Sequence, residues 1–133
     1  MKRIYLEQNE LQRRRAFSPA VITEGGRIVW LAGQTAIADE SGKSIAGDFE
    51  AQTRRIFALI DETLRRAGGS LADLVTMTVF IKEPRHGDRF VEIRREMFAE
   101  GQFPASALIT VTNFARPGME IEIQGVAVLN DAR

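Results

Sequence analysis

From Met119 to Val128 the chain reads Met-Glu-Ile-Glu-Ile-Gln-Gly-Val-Ala-Val, with carboxylates set on an otherwise apolar run. Read as a strand, Met119, Ile121, Ile123, Gly125 and Ala127 share one face, and Glu120, Glu122, Gln124, Val126 and Val128 share the other. The second face turns from polar to apolar partway along. A solvated face more often stays polar to its end, so Glu122 and Gln124 are expected at the edge of a buried surface or a cleft. A carboxylate at the mouth of an apolar cleft can take a proton from water and return it to a leaving group. The plainer reading pairs Glu122 with a basic residue across a contact.

Other chemistries are bounded by what the chain lacks. It has no cysteine and one histidine, His86, which removes thiol nucleophiles, zinc-thiolate sites, multi-histidine metal sites and the histidine pairs of many nucleases. Asp39 with Glu40, and Asp48 with Glu50, are lone carboxylate pairs and weak evidence for a metal, so none is expected. His86 follows Pro84-Arg85 and reads as a surface residue. Lys plus Arg equals Asp plus Glu at 18 each, so no overall field draws nucleic acid or an anionic membrane. The N-terminus has early basic residues but no apolar run behind them, and the expectation is a soluble cytoplasmic protein.

The elements that must position Glu122 follow from periodicity. With 133 residues, 44% of them hydrophobic and 27% charged, residues 1–133 suit one domain, opening with an N-terminal strand and polar segment over 1–18. Arg3 to Leu6 reads as a short strand, and Arg13-Arg14-Arg15 as a solvated patch. Gly25-Gly26 between Pro19–Thr23 and Arg27–Gln34 predicts a hairpin. Phe49, Gln52, Ile56, Leu59, Ile60 and Leu64 repeat at helical spacing behind Asp48, and Gly68-Gly69 ends that helix. Gln52 lies on its apolar stripe as a buried polar staple.

Ser70 with Asp73 predicts a capping pair before the strand Leu74 to Ile81. Asp88 is read as the cap of a second helix, with Phe90, Ile93, Met97 and Phe98 inward and Glu92, Arg95 and Glu96 outward. A last hairpin, 107–112 with 119–129, turns through Pro117-Gly118 as a type II turn. The order β-β-β-α-β-α-β-β gives an α+β fold, a mostly antiparallel sheet with two helices on one face. The strands are apolar on both faces, so the uncovered face predicts self-association.

Several short motifs occur in order: Gly33-Gln34, Gln52-Thr53, Ala67-Gly68 before Leu71-Ala-Asp-Leu-Val75, Thr78-Val-Phe-Ile-Lys82, Phe103-Pro104-Ala105 and Glu120-Ile-Glu-Ile-Gln-Gly-Val-Ala127. Together, from about Pro19 to Val128, they resemble the Rid (YjgF) family. The resemblance implies a chorismate-mutase-like fold and a homotrimer with small-molecule clefts between subunits. It also implies cofactor-independent hydrolysis of reactive enamines and imines to keto acids and ammonia. Glu122 matches the family's water-positioning acid.

The departures are as specific. The deaminase branch carries a carboxylate-binding arginine at the position of Ser106, a tyrosine at that of Ala20 and an asparagine near Val91. The implied cleft is wider and less polar. Ser106 and the backbone about Ala105 and Ala107 would hold the polar end of the substrate, with Trp30, Gln34 and Val91 along the wall; for Trp30 and Gln34 core packing or a buried amide network is the plainer reading. A serine hydroxyl cannot replace a fixed cation. Arg116 lies some 20 Å away along the strand. Arg94, Arg95, Arg13, Arg14 or Arg15 could reach a cleft from a neighbouring chain, and the sequence does not choose among them.

Three functions follow. The first is hydrolysis of an enamine, imine or related C–N bond, on a substrate other than the small amino-acid-derived imines. The second is a non-catalytic small-molecule-binding trimer. A ribonuclease or translation inhibitor is the third, against which neutral charge, one histidine and few aromatics weigh.

Overall fold

The computed structural model describes residues 1–131. In chain order its elements are β1 (Lys2–Tyr5), α1 (Glu10–Arg15), β2 (Val21–Glu24), β3 (Arg27–Trp30), α2 (Phe49–Arg66), β4 (Leu74–Ile81), α3 (Gly87–Met97), β5 (Ala105–Thr110) and β6 (Ile121–Leu129). The fold is α+β: a four-stranded sheet in the order β3-β6-β4-β5, with a separate ribbon of β1 and β2. β6 runs antiparallel to both β3 and β4, while β5 runs parallel to β4.

One face of the sheet is the core. Met77, Val79 and Ile81 of β4 and Ile121, Ile123 and Ala127 of β6 are at most 1% exposed. They pack with Ile56, Phe57, Ile60 and Leu64 of α2 and Phe90, Val91 and Ile93 of α3 in one apolar cluster. Asp48 caps α2 by accepting from the Ala51 N–H at 3.0 Å, and Gly68 and Gly69 end it by donating to Arg65 and Leu64. The phase read for β6 is the phase observed.

The two expected hairpins take other partners. Gly25-Gly26 does bend the chain, yet β2 pairs with β1 and β3 with β6. Arg3 is the reason: its Nη2 donates to Val128 O at 2.8 Å and to Asp73 Oδ1 at 3.0 Å, pinning β1 at the end of β6 where it offers β2 an edge. Likewise β5 and β6 are not neighbours. β4 lies between them, because its alternate residues are buried and its two edges are both bonded, and segment 111–120 crosses over it. Within that segment the type II turn forms as read, with Met119 N donating to Arg116 O and Gly118 at φ +90°.

Gln52 fixes where β6 begins. Fully buried, it donates to Ile45 O at 2.9 Å and Gly118 O at 2.7 Å and accepts from Glu120 N at 2.8 Å. Gln52→Leu removes three hydrogen bonds and leaves the Glu120 N–H without a partner, while Ile45 O and Gly118 O keep only the Asp48 and Gly47 N–H donors. The expected cost is about 2–4 kcal/mol, read as a fall of roughly 10 °C in thermal midpoint. A change under about 1 kcal/mol would show that water replaces the amide.

The opposite face of the sheet is bare. Trp30 is 76% exposed, Ile28 56% and Ile109 42%, and they share that face with Thr76, Thr78, Phe80, Glu122 and Gln124. Short helix α1 is absent from the sequence reading, which takes its segment as a polar stretch. Its signal is the capping box, Asn9 accepting from Gln12 N and the Gln12 side chain accepting from Asn9 N.

Candidate active site

β6 places Glu122 on the bare face, opposite Phe80 of β4. Its carboxylate lies across Gly33, where a Cβ would collide with Glu122 Oε2. Gln34 holds that approach: its N–H donates to Ile123 O at 2.8 Å and its carbonyl accepts from Ile123 N at 3.1 Å. The Gln34 amide itself turns back to Thr35 O at 2.8 Å. Phe80, Val111, Asn113, Phe114, Glu122 and Gln124 line an open pocket of about 300 Å³. No carboxylate–cation pair or hydrogen bond engages Glu122 among the described residues, so its oxygens are free to meet water. Trp30 stands farther along the same face, in a hollow of about 280 Å³ with Thr76, Thr78 and Gln124.

Ser106 faces the other way. Its register partner is buried Met77, on the helix side, whereas Glu122 partners half-buried Phe80. Ser106 and Val91 line a second pocket of about 250 Å³ with Leu11, Arg15, Phe17, Arg94 and Leu108. Ala105 and Ala107 alternate with Ser106 and so share the Glu122 face. Ala20 does not line the Ser106 pocket; Phe17, three residues earlier, does, because Ser18 bridges to Ala105 and lays the N-terminal segment along the edge of β5.

The expectation of a less polar pocket is corrected by Arg94. This arginine of α3 is 2% exposed, and its Nη1 donates to Ser106 Oγ at 2.6 Å within the same chain. Nη2 donates to Arg15 O at 3.0 Å, and the guanidinium lies over the Phe90 ring at 4.9 Å. Burial, and to a lesser degree the nearby Arg15, push Arg94 down to about 10, which leaves it cationic at neutral pH. Sequence reasoning put Arg94 among arginines that reach a neighbour's cleft. The signal for its burial was present: Arg94 follows Phe90 by four residues and so falls on the inward stripe of α3. Leu11 and Phe17 are absent from the sequence reading, since nothing local ties α1 to this pocket.

Three of the four carboxylates weighed for a metal are occupied. Asp39 caps its own turn through Ser41 and Lys43, Asp48 caps α2, and Glu50 pairs with Arg54 and Arg89. Among the described residues no three His, Asp or Glu side chains gather as metal ligands. His86 is half-buried rather than at the surface, its ring stacked on Phe49 at 4.3 Å. Asp88 does not cap α3; it pairs with Arg15 at 2.6 Å. No helix is long and apolar enough to cross a membrane among the described residues.

The model of the endoribonuclease L-PSP family matches residues 7–129. The chain belongs to this family, the YjgF/Rid proteins. It is 32% identical over 102 residues to a RutC family protein of Pyrococcus abyssi, covering 77% of this chain and 79% of that protein. A RutC family protein of Pyrococcus horikoshii is 29% identical over 127 residues, 96% of this chain and 98% of the other. The crystal structure of YyfB, a Rid protein of unknown function from Yersinia pestis, superposes with a TM-score of 0.79 at 28% identity, covering 97% and 100% of the two chains. In this Rid chain Ser106 on β5 pairs with a buried arginine on α3.

Proposed function

We propose that this Rid protein hydrolyses the C–N bond of an enamine or imine, in a cleft completed by two subunits. The observation that carries the reading is the Glu122 carboxylate, unpaired, laid over Gly33 and opening on a pocket walled by Phe80 and Phe114. In that position it accepts a proton from water as the water oxygen bonds the imine carbon. That proton passes to nitrogen to give the carbinolamine; the carboxylate then moves the hydroxyl proton to the amino group as the C–N bond breaks, and the products are a carbonyl compound and ammonia. An enamine first takes a proton on carbon to become the imine.

Two subunits enter because Glu122 and Ser106 lie on opposite faces of one sheet, so one chain does not present both to one small molecule. The bare apolar face around Trp30, Ile28 and Ile109 supports burial against further copies, three in the arrangement the Rid resemblance implies. An endoribonuclease draws less support. Charges balance, and the one histidine, stacked on Phe49, lines neither the Glu122 nor the Ser106 pocket.

An amino-acid dehydratase that releases enamines and imines in situ supplies the test. Ammonia release is expected to accelerate on adding this protein. No acceleration with any imine offered, alongside saturable binding of the same compounds' stable analogues, would favour a binding trimer instead.

A further inference from the structure

We infer that Arg94, delivered by α3, is an anion receptor that selects molecules carrying a single carboxylate on a compact apolar body. As a statement about substrates it rests on the cleft proposed above; as a statement about binding it stands alone.

A guanidinium has five N–H donors. In Arg94 one Nη1 donor meets Ser106 Oγ and one Nη2 donor meets Arg15 O, both neutral acceptors, and Nε has no partner. No carboxylate pairs with Arg94 among the described residues, although the side chain is 2% exposed. A buried charge is costly unless a counter-charge or a full set of hydrogen bonds accompanies it. The Phe90 ring offsets part of that cost, and the remainder is what a ligand anion relieves.

The pocket says which anion. Arg15 is the second cation in it, but Arg15 is already paired with Asp88 at 2.6 Å, so one positive charge is left uncompensated and a monoanion matches it. Ser106 Oγ accepts from Arg94, which leaves the hydroxyl proton free to donate to the same anion. Leu11, Phe17, Val91 and Leu108 form the rest of the lining, at the small end of ligand-pocket sizes, which suits a short apolar body. Arg94 also helps clasp the carbonyl end of α1, as Arg95 does through Arg13 O and Arg14 O. That clasp accounts for one Nη2 bond and for neither the bare Nε nor the contact with Ser106.

The test is calorimetric titration of the full chain, in its native assembly, with 4-methylpentanoate and with the neutral amide of the same acid. The carboxylate is expected to bind saturably and the amide about tenfold more weakly or worse. Arg94→Met abolishes the preference. Because that variant risks misfolding, Ser106→Asp is the second: it places a carboxylate against Arg94, so binding is lost while the thermal midpoint holds or rises. Equal affinity for acid and amide, or undiminished binding to folded Ser106→Asp, would overturn the assignment. Carboxylate binding by a protein that hydrolyses no imine would keep the receptor and remove hydrolysis, whereas imine turnover indifferent to Ser106→Asp would do the reverse.

Discussion

Replacing Glu122 by glutamine is expected to lower imine turnover by about 10²–10⁴-fold, the usual worth of a positioned general base, while the protein stays folded. Glutamine keeps the size of the side chain and can still orient water, but it cannot take the proton. Since the Glu122 side chain makes no hydrogen bond or ion pair among the described residues, its exchange removes nothing the fold depends on. Gly33→Ala attacks the same group from behind. Gly33 is exposed, so little stability is at stake, but the added Cβ occupies the place of Glu122 Oε2 and pushes the carboxylate off its seat. A loss of roughly 10–100-fold in kcat, with KM nearly unchanged, is expected from such a displacement. Full activity in Glu122→Gln would reduce Glu122 to a half-buried carboxylate without a catalytic role.

The second large effect concerns the bare face. Trp30→Asp combined with Ile109→Asp puts two charges among residues that are well exposed in one chain and buried in the proposed assembly. Light scattering after gel filtration is expected to find a 14.9 kDa monomer at micromolar concentration, where the unaltered protein runs as an oligomer. Turnover is expected to fall to the level of Glu122→Gln although neither Glu122 nor Arg94 has changed. A monomeric variant that keeps full turnover would place the reaction within one chain.

The sequence shows some of this architecture and hides the rest for identifiable reasons. Alternation told the two faces of β6 apart, and the one-residue offset between Ile121 and Glu122 is what separates core from candidate site. Helical spacing likewise found α2 and the staple Gln52. Strand partners stayed hidden, since pairing depends on what else reaches an edge. A long-range contact, Arg3 to Val128 O, takes β2 away from β3, and burial of β4 on alternate residues puts it between β5 and β6. Arg94 is one of five arginines between which the sequence does not choose, because a charge on an apolar stripe does not say which pocket it enters. Only the fold shows that its side chain ends at Ser106.

The central claim is that Glu122 of one subunit works with Arg94 and Ser106 of another, and subunit mixing tests it most directly. Glu122→Gln and Arg94→Met proteins, each inactive alone, are dissociated, combined in equal amounts and reassembled, and imine turnover is measured. In a ring of head-to-tail contacts, about a quarter of the clefts receive an intact Glu122 from one chain and an intact Arg94 from its neighbour, so about a quarter of the normal rate is expected. Reassembled oligomers with no recovered activity would contradict a shared cleft, because every chain in the mixture lacks one of the two groups.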